Sequence, residues 1–336
     1  MQNSGSFTSS IKTELASLRV RRESDARALL CAFTLGIGTL KFVPETRSWG
    51  VHYVIKSKEA VELTAKLASQ YYGLECRLTE VRHERLNASY CELLLYGESI
   101  SRFMLETGIM SRGANGETQF SAVIPKNVLR TETQIRMFMR GLFLACGMVT
   151  KPEKSYHAEF VLSNEALVRA AFSILSDHGI VPKLTKRRQS TVVYIKEGDK
   201  LEDLLAFIGA SGAMMEVSNE RILKQAKNEA NRGVNCISAN LERATRAAQR
   251  QAEDIRLVLD TFGTEHLDED LAAVAEARMN NFELSLSELA DELGIGRSAV
   301  NYRLGKLQKL AEEIRNGTCG KSALLDEKTS GRRDRE

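Results

Sequence analysis

Proline is scarce. Four prolines in 336 residues exclude collagen-like or Pro-rich stretches and speak against long structureless linkers. Six cysteines are present, at positions 31, 76, 91, 146, 236 and 319, yet none forms a Cys-x-x-Cys pair. That spacing argues against a zinc site or a disulfide framework and predicts reduced core thiols, as in a cytoplasmic protein. No window approaches eighteen unbroken apolar residues, so no membrane span is expected. The opening MQNSGSFTSSIKTEL lacks the charged-then-apolar pattern of a signal peptide and reads as a frayed end entering a helix. There is no Gly-rich phosphate loop, and histidines 52, 83, 157, 178 and 266 lie far apart with no Ser/His/Asp grouping. Neither a cofactor nor a metal is expected. The net charge of +3 is too small to argue for nucleic acid, so any such reading must rest on where charges cluster.

What the chain does contain is an internal repeat. SKEAVELTAKLASQYYGLECRLTEVR (57–82) recurs as SNEALVRAAFSILSDHGIVPKLTKRR (163–188). Glu59-Ala60 matches Glu165-Ala166, Gly73 matches Gly179, and Leu78-Thr79 matches Leu184-Thr185. Each copy reads as strand, amphipathic helix, strand, with the glycine as a left-handed helix stop. Upstream of each lies an apolar helix, ARALLCAFTLGIGTLKF (26–42) and MFMRGLFLACGMVTK (137–151), with Gly38 and Gly147 equivalent. Small residues near the ends of both helices (Gly36, Gly38; Gly141, Ala145, Gly147) would let two backbones pack closely.

The run GLFLACG (141–147), and more loosely AFTLGIG (32–38), resembles the LAGLIDADG helix of homing endonucleases. That resemblance implies two such helices at a central interface, each ending in an acid that binds the catalytic metal. Here Ile37 and Cys146 occupy the acid positions. Mg²⁺ wants oxygen ligands; isoleucine offers none and a lone thiol is a poor substitute. The expectation is a retained scaffold without cleavage chemistry, so not an enzyme. An active homing endonuclease is the minor alternative.

From about Asn219 the strand signal gives way to helical periodicity. Residues 219–250 carry seven basic side chains against three acidic ones, and Arg243, Arg246 and Arg250 share one face at helical spacing. Further on, SLSELADELGIGRSAVNYRLGKLQKL (285–310) has a helix-turn-helix layout. A helix over 286–293 buries Leu289 and Leu293, with small Ala290 where two helices meet. Gly294 supplies the bend, Ile295 plugs the core, and Gly296 caps the second helix. That helix buries Val300 and Leu304 and exposes Arg297, Ser298, Asn301, Tyr302, Arg303 and Lys306. Residues 297–310 hold four basic groups and no acid. Arg297 and Asn301 are candidates for reading base edges; Ser298, Tyr302, Arg303 and Lys306 are candidates for phosphate contacts. Lys183, Lys186, Arg187 and Arg188 are possible auxiliary DNA contacts. A helix from about Glu269 to Asn280 would complete a three-helix core.

Taken together, RGLFLACG, SYHAEF, NRGVNCISANLERA and SELADELGIGRSAVNYRL resemble the WhiA family of Gram-positive bacteria over nearly the whole chain. The fold expected is α+β: a pseudo-twofold LAGLIDADG-like (α-β-β-α-β-β)2 domain followed by an all-α helix-turn-helix domain. The expected boundaries are 1–127 for the first repeat with its N-terminal helix and 128–217 for the second. A helical DNA-binding domain over 218–315 and a disordered tail over 316–336 would follow. The resemblance implies a sequence-specific regulator of double-stranded DNA in the cytoplasm, associated with the nucleoid. It implies roles in cell division, chromosome segregation and, in sporulating members, transcription with other regulatory proteins or a polymerase sigma subunit. A protein-interaction scaffold with only non-specific DNA binding is the alternative.

Overall fold

The computed structural model describes residues 6–83, 88–113, 115–281 and 283–318. The chain forms two compact units, Met1–Gln225 and Ala226–Glu336.

In the first unit the repeat becomes two copies of one motif. After α1 (Phe7–Ser17) the first copy runs α2 (Glu23–Ile37), β1 (Thr39–Val43), β2 (Ser48–Ile55), α3 (Lys58–Tyr72), β3 (Glu75–His83) and β4 (Ala88–Tyr96). The helix α4 (Ile100–Thr107) and the hairpin β5 (Met110–Arg112) and β6 (Thr118–Phe120) intervene. The second copy is α5 (Glu132–Cys146), β7 (Gly147–Val149), β8 (Ala158–Leu162), α6 (Glu165–Asp177), β9 (Lys183–Arg187) and β10 (Ser190–Ile195), followed by α7 (Gly198–Ile208). The two antiparallel sheets have the same strand order, β1-β2-β4-β3 and β7-β8-β10-β9.

Local chemistry sets these elements. Ser57 caps α3 by accepting the Ala60 amide, and Gly73 ends it at φ +65°. Thr131 and Gln134 form a reciprocal capping box at the start of α5. Strands then alternate: Val51, Tyr53, Leu93 and Leu95 are buried on one sheet, as are Ala158, Phe160, Val193 and Ile195 on the other. The paired helices α2 and α5 sit in the middle of this core, contributing Leu29, Leu30 and Phe33 from one and Phe138, Leu142 and Phe143 from the other. The Thr34 and Tyr53 hydroxyls satisfy each other there at 2.9 Å.

The helix α8 (Ser211–Phe262) is continuous for 52 residues. Its first turns place Ala213 and Val217 in the first core, and its last turns place Ile255, Val258 and Phe262 in the second. The sequence periodicity located helix from about residue 219, but the helix begins earlier. The division between units falls within α8, after Gln225.

In the second unit a 3₁₀ turn (Thr264–His266) leads to α9 (Glu269–Asn280), α10 (Leu286–Leu293) and α11 (Arg297–Arg315). Leu271, Val274, Leu289, Val300 and Leu304 build its core with the end of α8. Leu293, expected inside, is only partly buried. The cysteines also depart from expectation. Cys31 and Cys91 are buried, but Cys76 and Cys236 are exposed and Cys146 is intermediate. The expected tail and Cys319 lie, from residue 319 on, outside the described residues.

Candidate nucleic-acid interface

Capping at both ends of α10 and at the start of α11 sets the turn between them. Ser285 and Glu288 form a capping box at the start of α10. Gly294 ends that helix at φ +64°, and its amide returns to the Ala290 and Asp291 carbonyls. Gly296, with extended backbone, begins α11. Two side chains that sequence reasoning passed over fix this arrangement. Buried Arg278 donates to the Leu284 carbonyl at 2.6 Å, and Asn281 donates to the Glu292 carboxylate at 2.9 Å. Their partners lie several residues away and are not signalled by local spacing.

Arg297, Ser298, Asn301 and Tyr302 are all exposed along the first turns of α11. Tyr302 is 66% exposed, an unusual surplus for an aromatic side chain. The structure sorts the remaining two candidates differently. Arg303 is tied to Asp270 of α9 at 2.6 Å and is only 20% exposed along its side chain, so it braces two helices rather than projecting outward. Lys306 is half-buried and lies over the Tyr302 ring, 5.5 Å from its centroid.

On α8, every residue from 226 to 247 is exposed. Arg243 donates to the Ala239 carbonyl and to Asn240, Arg246 sits 3.5 Å from Glu242, and Arg250 is exposed on the same side. Pairs this exposed hold their cations weakly and leave them available.

The basic run on β9 does not form one patch. Lys183 and Arg187 share a sheet face, because strand residues alternate, whereas Lys186 points the other way. Arg187 is engaged by Glu159 at 3.4 Å, and Lys183 lies 3.9 Å from Glu197. Arg188 occupies the turn at φ +55°.

Ile37 and Cys146 are the last residues of α2 and α5, the equivalent place in both copies. Gly36 brings the helix ends together: a Cβ there would stand 3.0 Å from the Cys146 sulfur and 3.1 Å from the Ala145 Cβ. Enclosure pushes the Cys146 thiol up to about 11, which keeps it protonated and a poor metal ligand at neutral pH. Ile37 contributes only apolar surface packed on the core. Beside Cys146 stands a residue that pattern reading missed. Lys12 of α1 is 8% exposed, and burial pulls its ammonium down to about 8. It has no hydrogen-bond or ion-pair partner among the described residues. Its only sequence signal is a charge on the core-facing side of an amphipathic helix, between Ile11 and Leu15.

Residues 135–227 match the family model described as the WhiA LAGLIDADG-like domain, and residues 230–311 match the WhiA C-terminal HTH domain. The chain is 33% identical over 316 residues to a probable cell division protein WhiA of Clostridium botulinum, covering 93% of this chain and 99% of that one. To the protein of the same name from Clostridium acetobutylicum it is 34% identical over 313 residues, covering 92% and 98%. The crystal structure of full-length DUF199/WhiA from Thermotoga maritima superposes with a TM-score of 0.58 at 25% identity, covering 92% of this chain and 99% of that one. Duplicated sheets, paired central helices, a helix-turn-helix and near full-length similarity lead to one conclusion: this chain belongs to the WhiA family.

Proposed function

We propose that this protein is a non-catalytic, sequence-reading DNA-binding regulator acting in cell division. The observation that carries the reading is α11. Arg297, Ser298, Asn301 and Tyr302 stand exposed at its start, while Val300 and Leu304 anchor its other face in the core. A helix so held can enter a major groove, where Arg pairs with guanine and Asn with adenine. Ser298, Tyr302 and Lys306 then contact phosphates, and Arg243, Arg246 and Arg250 add charge along α8. The role of Lys183, Lys186, Arg187 and Arg188 is auxiliary, since they divide between two sheet faces. The non-catalytic half of the reading is supported by Ile37 and Cys146 at the helix ends, where a Mg²⁺ site would need oxygen ligands. Cell division comes from the names of the Clostridium relatives. Chromosome segregation, nucleoid association and transcription with a sigma subunit extend the same reading.

The test is selection from a genomic fragment library across a salt series, with Mg²⁺ present and products scored. Selected fragments sharing a motif and left uncut support the reading, whereas cut fragments overturn its non-catalytic half. A second reading, a protein-interaction scaffold, is favoured by one observation: Val234, Ile237 and Leu241 stand 61%, 69% and 66% exposed on α8. Fragment selection that fails while a division or polymerase partner is captured would favour the scaffold.

A further inference from the structure

A cavity of about 460 Å³ lies in the first unit between the starts of α1 and α3. Ser6 and Ser57, the caps of those two helices, both line it. Helix N-termini carry unsatisfied amides and a partial positive charge, which suits an anion. α1 has no acidic residue in its first turn to quench that charge.

Lys12 supplies an independent pointer. It lines this cavity, is more than nine-tenths buried, and has no partner among the described residues. An ammonium enclosed to this degree is poorly hydrated, and an anion in the cavity would relieve that cost. Lys56 adds a second, exposed cation at the rim, and the Ser9 and Thr150 side chains add hydroxyl donors. One carboxylate, Glu159, also faces the cavity, but His157 at 3.3 Å and Arg187 at 3.4 Å already hold it. The balance is cationic.

We propose that this cavity binds a phosphate group, with Lys12 as its buried counter-ion, Lys56 at the mouth and the α1 N-terminus donating amides. Two cations and neighbouring hydroxyls match a tetrahedral oxyanion with several acceptors better than a single carboxylate. The cavity is larger than phosphate alone, which leaves room for a phosphate carried on a larger molecule. Two sources present this chemistry: a small phosphorylated metabolite and a backbone phosphodiester of DNA. The site lies within the first unit, and its argument does not use the helix-turn-helix.

The experiment uses the full chain, with Lys12→Met and Lys56→Ala as variants, at neutral pH. Calorimetric titration with inorganic phosphate and with pyrophosphate is run beside thermal melting in about 10 mM of each, and sulfate serves as a second dianion. Saturable binding that weakens about tenfold in Lys12→Met and a few-fold in Lys56→Ala supports a site for a free phosphorylated ligand. If neither small anion binds, a duplex-binding salt series decides. A log–log slope shallower by about one in each variant assigns the phosphate to DNA. Equal responses to all anions in the native chain and both variants, with unchanged salt slopes, overturn the proposal. Lys56 is exposed, so its variant keeps the test valid should Lys12→Met fold poorly. An Arg297→Ala, Asn301→Ala protein should retain phosphate binding whatever happens to its DNA selection.

Discussion

Gly141 of α5 lies directly against the Leu29 carbonyl of α2, so close that any Cβ at this position would overlap the neighbouring backbone. The overlap is with main chain in the middle of a helix, which cannot swing aside as a side-chain tip can. Gly141→Ala should therefore cost about 2–4 kcal/mol, and Gly141→Leu should prevent the first unit from folding. Urea midpoints of the full chain measure the first, and loss of cooperative unfolding reports the second. An Ala variant as stable as the native chain would mean that the helices slide apart at little cost.

Arg297 and Arg303 stand less than two turns apart on α11, yet the structure gives them opposite tasks. Arg297 is exposed, whereas Arg303 is bonded to Asp270. Arg297→Ala should leave stability within about 0.5 kcal/mol and cost about 1–3 kcal/mol of discrimination at one base pair. Arg303→Ala should lower stability by at most about 1 kcal/mol, since Asp270 is largely exposed, and should keep base preference. Footprints on a selected fragment, paired with thermal midpoints, separate the two effects. Selectivity lost in Arg303→Ala but kept in Arg297→Ala would reverse the assignment of roles.

Which features could be read in advance follows from where each interaction's partner lies in the chain. The duplicated sheets were legible because Gly73 and Gly179, and Leu78-Thr79 and Leu184-Thr185, recur at matched spacing, and alternation is a local property of strands. The turn at Gly294 was legible because a positive φ singles out one residue type. The Arg303–Asp270 pair was not, since the partners are separated by 33 positions and an exposed arginine reads the same with or without one. The 52-residue span of α8 was hidden for another reason. Its middle turns bury nothing, so no apolar stripe against a core tied its two ends together. Lys12 was missed because Ile11 and Leu15 mark α1 as amphipathic, and a lysine between them reads as solvated.

Arg243, Arg246 and Arg250 sit on a stretch of α8 whose side chains contribute little to either core, so their removal should leave folding intact. Replacing all three by alanine should flatten the dependence of log affinity on log salt by about 2–3, if each meets one phosphate. Sequence preference among selected fragments should stay the same, because these contacts go to backbone. The measurement is a fluorescence anisotropy series over ionic strength. An unchanged slope would remove α8 from the interface and leave its exposed apolar side chains to a protein partner.

Lys12 makes the stability of the first unit depend on pH in an unusual direction. Its ammonium is pulled down from 10.5 to about 8 on folding, so between those values the unfolded chain binds the extra proton. Stability must then rise with pH across that window, and the cost of burying the charge is fully present below about 8. Lys12→Met keeps the packing volume and removes the charge. At pH 7 it should stabilise the chain by about 1–3 kcal/mol, and that gain should shrink toward zero as pH rises through the window. Cys146 titrates nearby with the opposite sign, because its thiol is raised from 9 to about 11 and its contribution is lost as pH rises from 9 upward. A single melting curve for the native chain would mix the two. Because Lys12 itself lowers the thiol, native and Lys12→Met midpoints are compared from pH 6 to 10.5 in a Cys146→Ala background, which isolates the lysine. Parallel curves would mean that Lys12 carries no buried charge in the folded state. A gain that appears without phosphate and fades when phosphate is added would tie the same ammonium to the anion site.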